Sequence, residues 1–309
     1  MQLLIHGKLI KLHNMESNPK VSIIMPTWNR AAYIMDSVES IFSQTYQNWE
    51  LIILDDGSED NTAELISQIK DSRVQFYEAG KIGLGIRLKN IGIERSKGEL
   101  IAFIDSDDLW APTKLEKQVT VFRDYPEAGI SLTGGYNFKK INEPLEYFYK
   151  QREGIKYGNI FISFFRSEAS ILTPTVMFRR QCLPVIRRSI EISPGSDVEF
   201  LLDLSIKFNG VILYEPLLYR RLHDDSYSSR NWEKGYKEGI HVIDTYKKRK
   251  ALPTKLAADA LFRLYINFGE THLKHKNKTA AIRNFLKAWA NKPFSIVPLK
   301  KIGKAVLKR

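Results

Sequence analysis

The chain of 309 residues is 43% hydrophobic and 27% charged, ordinary for a globular protein and enough for one large domain with an appendage or for two domains. A single cysteine, Cys182, excludes an internal disulfide framework and any multi-cysteine metal site and suits a reducing, cytoplasmic compartment, and no apolar run approaches the ~18 residues that cross a bilayer. The net charge of +12 points to nucleic acid only until it is located: residues 271–309 carry eleven Lys and Arg and no acid, leaving 36 basic against 35 acidic residues before them, so the body lacks the basic face of a nucleic-acid groove.

Residues 1–20 read as a leader of unassigned role. Their apolar run is broken by His6 and Lys8, no small-residue cleavage site follows, and Met15 is an alternative start. Residues 21–26 (Val-Ser-Ile-Ile-Met-Pro) are an apolar run stopped by proline, the pattern of a strand buried on both faces. A turn follows at 27–30 (Thr-Trp-Asn-Arg), then helical spacing at Ile34, Val38, Ile41 and Phe42. Residues 51–54 predict a second strand, ended by Asp55-Asp56-Gly57-Ser58. Leu65, Ile66 and Ile69 mark a helix capped by Asp60 or Asn61. A brief strand at 74–77 comes next, then a helix lined by Ile86, Asn90 and Ile93. Residues 100–104 (Leu-Ile-Ala-Phe-Ile) form another buried run, which ends in Asp105-Ser106-Asp107-Asp108.

Alternation of buried strands with amphipathic helices predicts a doubly wound, mainly parallel α/β sheet. Ligands of such sheets collect at the carboxyl ends of the strands, where both acidic turns fall, so the two turns are expected to face one crevice. Three carboxylates within four residues repel one another unless a cation sits among them; an acidic surface turn that caps the helix near Pro112 is the other reading. Gly83-Leu84-Gly85 lacks the third glycine of a dinucleotide fingerprint, and no GxxxxGK[ST] loop occurs. A nucleotide would therefore be held through carboxylates and metal.

Leu115, Val119 and Phe122 line the next helix, and 129–132 is a strand. Residues 135–170, rich in Tyr and Phe, read as an irregular insertion, after which 173–178 returns to the sheet. Ser193-Pro194-Gly195-Ser196 precedes a helix that opens at Asp197, striped by Leu201, Leu202 and Phe208. The last strand, 211–214, leads to a loop at 219–226. From Trp232 the pattern is helical, and Tyr265, Gly269, Ala281, Phe285, Ala288 and Pro293 resemble one tetratricopeptide-like helix pair, read as a helical cap. Leu299, Ile302 and Val306 share a helical face, with Lys300, Lys301, Lys304 and Lys308 elsewhere, which suggests either docking on an anionic membrane surface or a basic tail in solution.

Four segments, taken in order, resemble the signature blocks of family 2 glycosyltransferases of the GT-A fold: residues 21–30, 50–60 (Glu-Leu-Ile-Ile-Leu-Asp-Asp-Gly-Ser-Glu-Asp), 89–93 (Lys-Asn-Ile-Gly-Ile) and 98–108. The resemblance covers about residues 21–225. It implies a GT-A catalytic domain at 21–230 followed by a helical extension at 231–309 with a basic amphipathic end. It also implies an inverting transfer of sugar from a nucleoside diphosphate sugar, UDP favoured, to an acceptor hydroxyl on a glycan or lipid-linked glycan of the cell surface. Two alternatives are transfer to a polyprenyl phosphate, which needs no hydroxyl-activating base, and an inactive nucleotide-sugar-binding or scaffold module.

By the same resemblance, Asp107 contacts a divalent Mn²⁺ or Mg²⁺, and Asp105 meets the donor ribose or the metal shell, with Ser106 between them and Asp108 auxiliary. Asp56 accepts a hydrogen bond from the base, or simply stabilises its turn. Pro26, Thr27 and Asn29 belong to the block that lines the nucleoside. Arg87 and Lys89 are cations near the base or diphosphate, Lys89 standing where the family more often has arginine. Asp197 is the general base or a helix N-cap; the family commonly has Glu-Asp where this chain has Ser196-Asp197, and Glu199 is the reserve. His223 meets phosphate or metal, or is a surface histidine. The sequence names neither the sugar nor the acceptor.

Overall fold

In a computed structural model of the chain, which describes residues 3–5, 8–10, 15–83, 85–140, 143, 146–148, 152–169, 172–184 and 197–307, the run at Val21–Thr27 is the strand around which the sheet is assembled. The strands in chain order are β1 (Leu3–Ile5), β2 (Lys8–Ile10), β3 (Val21–Thr27), β4 (Trp49–Asp55), β5 (Val74–Glu78), β6 (Leu100–Phe103), β7 (Leu109–Trp110), β8 (Ala128–Phe138), β9 (Glu146–Tyr147), β10 (Ile155–Gly158), β11 (Met177–Arg179) and β12 (Asn209–Arg221). β1 and β2 form a separate antiparallel hairpin.

The other ten make one mixed sheet in the order β10-β12-β8-β11-β6-β3-β4-β5, with β7 on β12 and β9 on β8. β3 runs parallel to both β4 and β6, and β4 parallel to β5. β11 is antiparallel to both its neighbours, β6 and β8, joining the parallel half to the rest. β4 and β6 are buried along their whole length and β3 nearly so, which is why these runs are continuously apolar rather than alternating. Helices Ile34–Phe42, Gly85–Arg95 and Lys114–Asp124 pack apolar stripes against the sheet, including Ile34, Val38 and Ile41, Leu88 and Ile93, and Leu115, Val119 and Phe122.

β12 runs well past the expected 211–214. It carries register shifts on both sides of Pro216, so the proline sits at an irregularity where its missing N–H breaks no ladder bond. Tyr219, Arg220 and Arg221, expected in a loop, are therefore strand residues beside the tip of β8.

The helix Gly85–Arg95 lies unusually close to the sheet. A Cβ at Gly92 would stand 2.5 Å from the Ile24 side chain and 2.9 Å from Leu54. Lys89, one turn earlier on the same face, is thereby carried into the interior and is only 4% exposed.

The chain divides into two compact units, Met1–Leu222 and His223–Arg309. The second is helical: Tyr227–Arg230, Trp232–Lys248, Thr254–Lys274, Lys278–Asn291 and Val297–Leu307. Its pair Thr254–Lys274 and Lys278–Asn291 packs around Ile266, Ala281, Phe285 and Ala288. Gly269 lets the Phe285 ring approach to where a Cβ would be 2.4 Å away.

Replacing Gly92 with valine should force the helix off β3 and β4 and destabilise the first unit by about 1–3 kcal/mol. Urea unfolding followed by tryptophan fluorescence would read this as a lower midpoint, with a substitution at exposed Gly85 as the control.

Candidate active site

The chain leaves the sheet just after β6. The Ile104 N–H donates to the Ile24 carbonyl at 3.1 Å, and the Asp108 N–H closes the next turn on the Asp105 carbonyl at 3.1 Å. At the neighbouring strand end, the Asp56 N–H donates to the Thr27 carbonyl at 2.9 Å. Because β3 lies between β6 and β4, the two acidic turns flank the end of one strand, as their positions in the sequence require.

The acids of the first turn have different partners. Arg30, just beyond β3, donates from Nε to Asp107 Oδ2 at 3.0 Å, an ion pair with both side chains largely shielded. Its Nη1 donates to the carbonyls of Trp28 and Asn29 at 3.2 and 3.0 Å. Arg221, the last residue of β12, also holds the turn. Its N–H donates to Asp108 Oδ1 at 3.0 Å, its Nε to the Asp107 carbonyl at 3.0 Å, and its Nη2 to Asp36 Oδ2 at 2.7 Å. Asp108 is thus turned into the protein, and burial, with the charges of Asp105 and Asp107, raises its pKa well above the usual carboxylate range. Asp105 is pushed up to about 6, chiefly by burial; Lys89 and Arg220 oppose the shift, and Asp107 and Asp197 add to it.

Lys89 reaches the same place from below. Its Nζ donates to Asp197 Oδ2 and, at 3.3 Å, to Thr173 Oγ1, and it lies 5.5 Å from the centre of the Phe103 ring. Burial works against its charge, but the carboxylates of Asp197 and Asp105 outweigh it and hold the ammonium above its ordinary range. Asp197 opens the helix Asp197–Lys207, and Lys89 rather than a helix amide is its partner among the described residues. Its second oxygen, Oδ1, is buried and carries no hydrogen bond among the described residues. Residues 193–196, with the helix-start signal and Ser196, lie outside the described residues.

The nucleoside-side residues mostly hold loops together. Asp56 accepts the N–H groups of Ile82 and Gly83 at 2.5 and 3.0 Å. Asn29, at a φ of 49°, accepts the Glu59 N–H at 2.7 Å and donates its own N–H to Ser58 Oγ at 2.9 Å. Ala31 and Thr62 both donate backbone N–H groups to Asp60 at 3.0 Å, so residues 29–31 are laced to residues 58–62. Pro26 lies within β3, Ser106 is buried, and Thr27 is buried with its hydroxyl oxygen unpartnered. Arg87 is exposed. His223 is the first residue of the second unit, where its carbonyl accepts the Ser226 N–H at 3.2 Å.

Among the described residues no three His, Cys, Asp or Glu side chains are grouped so as to hold a metal ion. The chemistry at Asp105 and Asp107 still fits a hard divalent cation. Both offer carboxylate oxygen, their mutual repulsion already draws in Arg30 and Lys89, and Mg²⁺ is often held by one or two carboxylates with phosphate and water completing its shell.

Arg30, Asp36 and Arg221 were not singled out from the sequence as site residues. Arg30 carried a usable signal: a cation directly after one central strand, where acids directly follow the neighbouring strand. The pairing of Asp36 with Arg221 carried none, the two being 185 residues apart.

Residues 22–192 match the family model described as glycosyl transferase family 2. An uncharacterized glycosyltransferase of Haemophilus influenzae is 44% identical over 238 residues, covering 76% of this chain and 90% of that protein. TuaG of Bacillus subtilis, named for teichuronic acid biosynthesis, is 31% identical over 218 residues, covering 70% and 84%. WfgD of Escherichia coli, named as a UDP-Glc:α-D-GlcNAc-diphosphoundecaprenol β-1,3-glucosyltransferase, is 43% identical over 103 residues, covering 33% and 40%. Against three Rickettsia relatives the chain spans only 34%, 25% and 26% of their lengths.

Two solved structures share the fold. Staphylococcus aureus TarS 1–349 in complex with UDP-GlcNAc has a TM-score of 0.55 at 15% identity, covering 90% of this chain and 74% of that one. The Pyrobaculum calidifontis mannosyltransferase PcManGT, in complex with GDP-Man and Mn²⁺, has a TM-score of 0.57 at 18% identity, covering 94% and 80%.

A carboxyl raised from 3.8 to about 6 binds its proton more tightly in the folded state, so between those values Asp105 makes folding less favourable as pH rises. Asp105→Asn should therefore gain melting temperature relative to the parent as pH increases through this window, and hold a constant difference above it. Paired thermal scans across the range would check this.

Proposed function

This chain belongs to glycosyl transferase family 2, and from that premise we propose that it transfers a sugar, with inversion, from a nucleoside diphosphate sugar to an acceptor hydroxyl. The observation that carries the proposal is the arrangement at Asp197: one carboxylate oxygen gripped by buried Lys89, the other buried without a partner, close to the acidic turn at Asp105. The GT-A type mixed α/β fold supports the same reading.

In this mechanism the acceptor oxygen attacks the anomeric carbon, the bond from that carbon to the diphosphate breaks, and the acceptor proton passes to Asp197 Oδ1. Lys89 fixes the orientation of the carboxylate through Oδ2, so that Oδ1 is aimed without a search among rotamers. Attack on the face opposite the diphosphate gives inversion. Arg30 and Lys89 place positive charge where the donor's phosphates would lie. Asp107 and Asp105 would hold a divalent Mn²⁺ or Mg²⁺, which when bound supplies Lewis-acid stabilisation to the departing diphosphate. The complex of PcManGT with GDP-Man and Mn²⁺ supports this part of the reading.

The complex of TarS with UDP-GlcNAc and the UDP-Glc donor in the name of WfgD favour UDP. The names of TuaG and WfgD favour an acceptor that is a cell-envelope glycan, free or lipid-linked. A cytoplasmic location, suited to the lone buried Cys182, is part of the same proposal.

Asp197→Asn should lower kcat by about a hundredfold to ten-thousandfold while donor binding is retained. Full activity would favour transfer to a polyprenyl phosphate, whose oxygen needs no base. Asp107→Ala should abolish metal-dependent transfer without lowering the melting temperature of the metal-free protein by more than a few degrees. Thermal shifts with UDP-, GDP- and dTDP-sugars, with and without Mn²⁺, should show stabilisation by UDP-sugars that depends on the metal. Stabilisation by GDP-sugars alone would overturn the UDP assignment, and UDP release from no donor would leave only a binding module.

A further inference from the structure

Large apolar side chains left in water are usually scattered singly. Here eight of the twelve found among the described residues lie between Leu286 and Leu307, within the second unit. The helix Lys278–Asn291 buries Ala281, Phe285 and Ala288 and leaves Leu286 and Trp289, three residues apart and so on one side, exposed. The link to the next helix carries Phe294, which is fully exposed, and Ile296.

The final helix, Val297–Leu307, corrects the expectation of a single stripe at Leu299, Ile302 and Val306. It buries Pro298 and Ala305 and packs Ile302 on the unit's own core, whereas Leu299 and Val306, seven residues apart on another side, are 47% and 63% exposed, and Leu307 is 83% exposed. The outward apolar side is thus additional to the one that packs the helix.

The charges decide the occupant. Residues 271–309 contain no Asp or Glu. Lys301 and Lys292 are tied to Glu270 and Asp259, while Lys300 and Lys304, one turn apart, are exposed alongside the apolar edge. A second copy meeting this face about a two-fold axis would set lysine against lysine. A nucleic acid would match the charge but leave Phe294, Leu299 and Val306 wet. An anionic bilayer satisfies both, with apolar side chains entering the acyl boundary and ammonium groups at the phosphates.

We propose that the helix–link–helix face from Leu286 to Leu307 docks on the surface of an anionic phospholipid bilayer. Docking is interfacial, since among the described residues no helix is long and apolar enough to cross a membrane. The proposal does not depend on which donor or acceptor the first unit uses.

The test is sedimentation of the full chain with vesicles of phosphatidylcholine alone or of equal parts phosphatidylcholine and phosphatidylglycerol. The parent should pellet with the anionic vesicles. Combined Phe294→Ser, Leu299→Ser and Val306→Ser should weaken binding at least tenfold with an unchanged melting temperature. Lys300→Gln with Lys304→Gln should weaken it by about fivefold per lysine. Four outcomes would overturn the proposal: no pelleting of the parent, pelleting unaffected by the triple serine variant, a parent dimer that this variant dissociates in the absence of lipid, or salt-sensitive RNA binding that this variant retains.

Discussion

The ammonium of Lys89 is the charge on which the site depends. A lysine taken out of water keeps its charge when carboxylates answer it at close range. Here they come from Asp197, more than a hundred residues later, and from Asp105 at the end of β6. The helix that carries Lys89 cannot back away, because Gly92 has let it settle directly on Ile24 and Leu54. Three distant segments are therefore locked in one relative placement by a single buried charge, and that placement brings Asp197 within electrostatic reach of Asp105 in the acidic turn.

The three acids of that turn show how burial divides equivalent residues into different chemistry. Asp108 is drawn inward by the Arg221 backbone and anchors the turn to β12. Asp107 faces Arg30, and Asp105 lies between the two charge systems, near enough to Lys89 to feel its field and to Asp107 to resist ionisation. A cation arriving at Asp105 and Asp107 would meet carboxylates already accustomed to positive neighbours.

The two units also divide the charge of the chain. The first is nearly neutral in total, and Asp56, Asp105, Asp107 and Asp108 fall just beyond its strand ends. The second gathers the excess positive charge beside exposed apolar groups, the combination that suits a surface rather than a pocket.

The apolar runs at 21–26, 51–54 and 100–104 were enough to identify buried parallel strands, because a strand covered on both faces has no polar face to show. The acidic residues that end them were legible for the same reason: a carboxylate directly after such a run has to lie at the strand end. Those are local rules, and the sequence by itself determined the fold class and the family. The length of β12 was not legible, since Pro216 reads as a stop unless a bulge excuses its missing N–H. Nor were the pairings of Lys89 with Asp197 and Arg221 with Asp36. Exposed lysines and buried ones look alike in one dimension, and so do the packed and outward sides of the last helix. Only the tertiary structure decided these, because which charges lose their water, and which must then find partners, depends on what packs above them.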